Sequence, residues 1–211
     1  MKFFDRLKIA HYHRKRYRQF GKDRARTLGW ADKYSQISRF EALCRGLTLD
    51  GSSILDIGCG YGDLLAFIEL MGGLPQSYIG IDQQKQFISE ARKRDFRTQS
   101  KFICGDFSTL VLPRCDFVFA SGSLNYQSTN PNHTIEMIEK MYRATEKGCV
   151  FNLLDESKLP SMKMLASHNK EGVFRYCRLL CPNTRLIEGY SEHDFTIAMI
   201  KKRSPFPDSA L

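Results

Sequence analysis

Residues 54–63 read Ile54-Leu55-Asp56-Ile57-Gly58-Cys59-Gly60-Tyr61-Gly62-Asp63, and the fold turns on this stretch. A short apolar run carries one acid, Asp56, near its end. Three glycines follow at alternate positions. An apolar helical pattern then starts at once with Leu64, Leu65, Phe67, Ile68 and Met71. Strand, glycine turn and helix in that order make a nucleotide-cradling loop. Glycine has no Cβ, so its backbone can lie against a ligand and adopt positive φ.

The spacing separates this loop from others of its shape. A phosphate-binding P-loop ends in Gly-Lys-Ser/Thr, and no Lys is present here. A dinucleotide fingerprint spaces its glycines G-x-G-x-x-G to pass a pyrophosphate; here they run G-x-G-x-G. An acid at position 56 repels phosphate and suits a cationic ligand.

With Asp56, Gly58, Gly60 and Gly62 in a D-x-G-x-G-x-G pattern, the chain resembles the class I S-adenosylmethionine (SAM)-dependent methyltransferases. In that family the loop wraps the amino-acid part of SAM. The resemblance therefore implies that Asp56, Gly58, Cys59, Gly60 and Gly62 contact the cofactor. It covers roughly residues 30–202 and says nothing about the acceptor.

Two further acids stand in register with the loop. Tyr78-Ile79-Gly80-Ile81 runs into Asp82, 20 residues after Gly62, where a Rossmann-type site places a carboxylate on ribose hydroxyls. Gln83 follows it in the cofactor-binding set. Phe102-Ile103-Cys104-Gly105 runs into Asp106-Phe107, which the resemblance assigns to the adenine: the acid to its amine, a neighbouring backbone N–H to the ring. A fourth apolar run, Asp116–Ala120, leads to Ser121-Gly122-Ser123-Leu124-Asn125-Tyr126.

Helical and strand patterns alternate from there, which predicts an α/β, Rossmann-like fold. The resemblance makes this a seven-stranded, mostly parallel sheet with an antiparallel last strand and helices on both faces. Pro131-Asn132 is expected to open a helix ending at Gly148, with a fifth strand over 150–154 and two helical pieces over 158–180. A short Ser191–Asp194 link predicts an antiparallel hairpin of the last two strands.

Charge divides the chain unevenly. Residues 1–26 hold ten Lys/Arg and two acids, whereas the remaining 185 hold 22 and 21, so nearly all of the formal +9 sits at the start. The expected organisation is a basic leader (1–29), a methyltransferase domain (30–203) and a loose tail (204–211) containing Pro205 and Pro207. The leader is interleaved with Phe3, Phe4, Tyr12, Tyr17 and Phe20. It is compatible with an anionic partner, RNA or a membrane surface. It is equally compatible with a helix that caps the domain with Phe4, Leu7 and His11 inward.

No apolar stretch reaches membrane-spanning length. Seven cysteines without a C-x-x-C pair fit a reducing, cytoplasmic protein and no metal site.

Gly29-Trp30, Ser35-Gln36 and Arg39-Phe40 are similar to the lead-in of a group of small bacterial class I methyltransferases. Gln36 and Arg39 share a helix face, and Arg39 is placed to fork onto the SAM carboxylate.

Candidate acceptor-side residues lie at the carboxyl ends of the strands: Asn125 and Tyr126 after the fourth, His193 in the last hairpin. Asn/Asp-Pro-Pro-Tyr/Phe, usual in base-amine methylases, is replaced by Ser-Gly-Ser-Leu-Asn-Tyr. A small-molecule acceptor is therefore favoured. An RNA or ribonucleoprotein methyltransferase, and a silent binding module on the same fold, stay open as alternatives.

Overall fold

The structure, a computed structural model, describes residues 1–21 and 23–201. The expected tail, 204–211, lies outside them. Five parallel strands form the body of one sheet: β1 (Ser53–Ile57), β2 (Ser77–Asp82), β3 (Gln99–Cys104), β4 (Cys115–Ala120) and β5 (Thr145–Asp155). A two-residue strand, β6 (Ser167–His168), pairs with the end of β5. The hairpin β7 (Thr184–Ile187) and β8 (Asp194–Ile200) completes the sheet, β8 running antiparallel to both β5 and β7. The order is β3-β2-β1-β4-β5-β8-β7. The order reverses between β1 and β4, and the crevice at their carboxyl ends is where such sheets bind ligands.

Three helices precede the sheet: α1 (Phe3–Phe20), α2 (Arg24–Leu28) and α3 (Lys33–Cys44). Asp32 starts α3 by accepting the Ser35 N–H at 2.7 Å, and Ser35 reaches back in a capping box. Strand residues alternate between two cores. Leu55, Ile57, Val118 and Phe151 face α6 (His133–Ala144) and α7 (Lys170–Leu180). Ile54, Phe117, Phe119 and Val150 face α3, α4 (Asp63–Leu70) and α5 (Lys85–Ala91).

Two boundaries differ from expectation. Gly148 does not end α6; β5 begins directly at Thr145 and Gly148 lies inside it. A Cβ there would come within 2.9 Å of Ile200 and 3.1 Å of Phe117, so the position is glycine for close packing. Residues 158–180 hold one helix, α7, not two, because 161–168 is drawn to the carboxyl end of β5 through β6 and the Tyr126–Leu165 bridge.

The basic leader is a cap, but not on the expected face. Phe4, Leu7 and His11 are exposed, whereas Asp5, Ile9 and His13 are buried. Asp5 Oδ2 accepts from the Thr129 N–H and Oγ1, both at 3.0 Å, and from Ser128 Oγ at 3.2 Å. Those hydroxyls make an acid the better inward residue than a phenylalanine.

Candidate functional site

A cavity of about 210 Å³ opens at the carboxyl ends of β1, β2, β3 and β4, walled on its far side by α1 and α3. It gathers Asp56, Gly58, Cys59, Asp82, Gln83, Asp106, Phe107 and Ser121 from the strand ends. From α3 come Gln36 and Arg39, and from the loop after β4 come Asn125 and Tyr126. Gly60 and Gly62 shape the loop. His193 is not among the described lining residues; its neighbour Asp194 is.

The glycines are needed against protein atoms. Gly58 and Gly60 have φ of +75° and +53°. A Cβ at Gly58 would stand 2.2 Å from Ser123 Cβ, and one at Gly60 2.7 Å from the Leu28 side chain. The turn is thus pressed between the β4 loop and α2. Asp82 ties it down: Oδ2 accepts the Gly60 N–H at 3.0 Å, and Oδ1 the Gln84 N–H at 2.7 Å.

Burial pushes the Asp82 carboxyl up to about 6 against those two hydrogen bonds. Burial likewise lifts Asp56 to about 7; the hydrogen bond from the Tyr78 hydroxyl opposes this, and the charges of Asp82 and Asp63 add to it. With Asp63, Asp106 and Asp194, five aspartates line the cavity, against Arg39 as the one Lys or Arg side chain among the described lining residues. Asp63, Asp106 and Asp194 are ion-paired with Arg94, Arg6 and Arg39. That leaves Asp56 and Asp82 as the acids without a basic partner among the described residues, and these favour a cationic occupant once ionised.

Asp106 accepts from Ser108 N–H at 2.9 Å and Oγ at 2.7 Å through Oδ1, while its buried Oδ2 makes no hydrogen bond and lies 3.5 Å from Arg6 Nε. Arg6 balances the charge of this oxygen, and its hydrogen-bonding position is left for a donor.

Arg39 stacks 4.7 Å from the Trp30 ring and pairs with Asp194, whose Oδ2 also accepts from Ser191 at 2.7 Å. The expected fork therefore has a protein carboxylate on one edge; Arg39 Nε and Asp194 Oδ1 are buried without hydrogen-bond partners. Gln36 donates to Asp63 at 3.3 Å. Asn125 braces the fold, its Oδ1 accepting the Leu154 N–H at 3.2 Å.

Sequence reasoning allowed for α1 as a cap but turned the wrong face inward, and so missed the residues it brings to the cavity. Ile9, Tyr12 and His13 line the cavity. His13 is buried, its Nδ1 3.3 Å from the Thr27 carbonyl and its Nε2 2.7 Å from the Tyr126 hydroxyl. A carbonyl only accepts, so Nδ1 carries the proton and Nε2 accepts from Tyr126. Burial lowers His13 to about 4, which keeps the imidazole neutral. Burial raises the Tyr126 hydroxyl well above its ordinary value. The periodicity Asp5, Ile9, His13 was the available signal, masked by the more apolar Phe4 and Leu7. Leu28, Asp63, Gln84 and Phe87 are further lining residues outside the expected set.

Among the described residues no group of three His, Cys, Asp or Glu could hold a metal ion, and no helix is long and apolar enough to cross a membrane.

A sheet of this order, with a glycine turn after its first strand and an acid at or just past the end of the next two, is the architecture of the class I S-adenosylmethionine-dependent methyltransferases. Residues 54–148 match the methyltransferase-domain family. A protein of Mycobacterium tuberculosis named as a methyltransferase, Rv1506c, is 28% identical over 166 residues, 74% of this chain and 96% of that one. The carboxy-S-adenosyl-L-methionine synthase of Wolinella succinogenes is 26% identical over 161 residues, 74% of this chain and 60% of that protein.

Among solved structures, the magnesium protoporphyrin IX methyltransferase ChlM of Synechocystis PCC 6803, with bound SAH, superposes with a TM-score of 0.69. It is 15% identical, with 96% of this chain and 100% of that one covered. A Haloferax volcanii methyltransferase-fold complex with the Trm112 activator gives a TM-score of 0.66 at 16% identity, covering 92% of this chain and 99% of that one. At these identities the likeness establishes the fold.

Proposed function

We propose that this methyltransferase acts on a small-molecule acceptor held under α1, beside a cofactor held by the strand ends. The observation that carries the reading is the lining itself. Acids from β1, β2 and β3 form one wall, and α1 closes the other with Tyr12, His13 and Ile9.

SAM supplies an activated methyl on a sulfonium, which passes to the acceptor in line as the carbon–sulfur bond breaks. The chain's part is binding and alignment. Asp82 offers its remaining lone pairs to the ribose hydroxyls. Asp106 Oδ2 meets the adenine amine, and the Phe107 backbone lies against the ring. Asp56, once ionised, favours the positive charge, and Arg39 Nε remains for a carboxylate. This assignment fits Asp106 Oδ2 and Arg39 Nε, buried atoms that make no hydrogen bond.

On the acceptor side, the Tyr126 proton is committed to His13, so the lone pairs of its oxygen are free to accept from the acceptor's O–H or N–H. His13 is a positioning residue: Thr27 sets its tautomer, and His13 sets the hydroxyl. Asn125 acts by holding the same loop against β5. His193 is proposed at the rim, where its carbonyl accepts the Asp155 N–H at 2.8 Å and holds the hairpin to β5.

Methyl-labelled SAM incubated with the purified protein and fractionated cell extract tests the acceptor class. Label in a small-molecule fraction is expected. Label confined to RNA or protein would overturn the small-molecule assignment.

A further inference from the structure

We propose that the outward face of α1 is an interfacial surface that docks on anionic phospholipid bilayers. The 18 residues of α1 form a rod about 27 Å long. At 100° per residue, Asp5, Ile9 and His13 define its inward line, and that line is occupied by the cavity wall and the loop at 128–129. The opposite arc carries Phe3, Phe4, Leu7, His11, Arg14, Lys15 and Arg18, all exposed. The helix's one acid, Asp5, faces inward, so no carboxylate of α1 interrupts this arc.

The arc is zoned. Its N-terminal end exposes Phe3 by 65%, Phe4 by 73% and Leu7 by 49%, the two rings meeting edge to face at 5.7 Å. Lys8 shares a surface depression with Met162 and Lys163, and Met162 is 47% exposed. The remainder is basic, with His11, Arg14, Lys15 and Arg18 lining a second shallow depression. Arg14, Lys15 and Arg18 have no ion pair among the described residues. Arg16, by contrast, is bound back over Tyr12 and Phe20 and to the Arg26 carbonyl.

Apolar side chains beside unpaired cations on one helix face complement a bilayer boundary, where rings and aliphatic groups enter the acyl region and cations meet lipid phosphates. RNA would satisfy the cations and stack on phenylalanines, but it offers little to Leu7 and Met162. The docked line and the exposed arc are opposite, so the helix need not leave the cavity to engage the surface.

Full-length protein should co-sediment with vesicles of phosphatidylcholine mixed with phosphatidylglycerol. It should not do so with phosphatidylcholine alone, and raised salt should release it. The variant R14E/K15E/R18E should lose about a hundredfold or more in vesicle affinity, and F3S/F4S/L7S about tenfold. Circular dichroism melts should match the parent for both, since every changed side chain is exposed. A parent that binds neither vesicle overturns the proposal. So does one that binds only an oligoribonucleotide, with F3S/F4S/L7S unaffected; that result assigns the face to RNA. None of these readouts involves SAM, so the outcome is independent of the catalytic reading.

Discussion

Asp82 has a structural contact in hand and, on the proposed reading, a second task. It fastens the glycine turn through the Gly60 and Gln84 N–H groups, and the proposed cofactor site uses its remaining lone pairs. Asp82→Ala is therefore expected to weaken SAM binding by about 1.5–3 kcal/mol, the scale of lost charged hydrogen bonds, measured by calorimetry. Retained affinity would remove Asp82 from the cofactor site. The His13–Tyr126 pair gives a different signature. Tyr126→Phe and His13→Ala should each lower kcat by at least about tenfold while SAM affinity stays within about twofold. His13→Gln, which keeps an acceptor for the Tyr126 hydroxyl, should recover part of the loss. Equal loss in all three, with unchanged melting, would leave Tyr126 without a positioning partner.

At the scale of elements, α1 decides whether the cavity is enclosed. Its inward stripe is thin: one apolar side chain, Ile9, between an acid and an imidazole that are both fully hydrogen-bonded to the domain. Ile9→Ala is expected to cost about 2 kcal/mol in denaturant unfolding, the low end for buried isoleucine, because one side of the site is cavity. It should also raise the KM for the acceptor more than that for SAM. The stripe explains why a leader carrying most of the net charge is still part of the active domain. Arg6 pairs with Asp106 at the site, Arg14, Lys15 and Arg18 lie on the opposite face, and its polar inward residues find partners at 128–129 and 126.

For the whole molecule, the buried acids tie ligand binding to pH. The folded values of Asp56 and Asp82, about 7 and about 6, lie above the ordinary 3.8. These two groups favour the folded state most below the ordinary value, and that contribution is lost as pH rises through 6 and 7. A cation bound beside the ionised pair offsets the loss. The rise in Tm on adding SAM should thus be larger at about pH 8 than at about pH 5.5, and SAM affinity should fall roughly tenfold per unit between about pH 7 and 6 and roughly a hundredfold per unit below that. A pH-independent shift would mean that the acids do not face the cation.

The sequence by itself determined the glycine turn, the acid within β1 and those at or just past the ends of β2 and β3, and the succession of the first four strands along the chain. These are local signals: a strand end, a turn and a helix start lie within a dozen residues of one another. The mixed end of the sheet was legible from the short link before Asp194. Only the tertiary structure decided which face of α1 goes inward, because Asp5 is acceptable there solely through Ser128 and Thr129, more than 120 residues away. The same holds for Arg39, whose partner Asp194 is 155 residues distant, and for the pairing of His13 with Tyr126. Periodicity shows which residues share a face. Which face is buried depends on hydrogen-bond partners that chain order does not bring together.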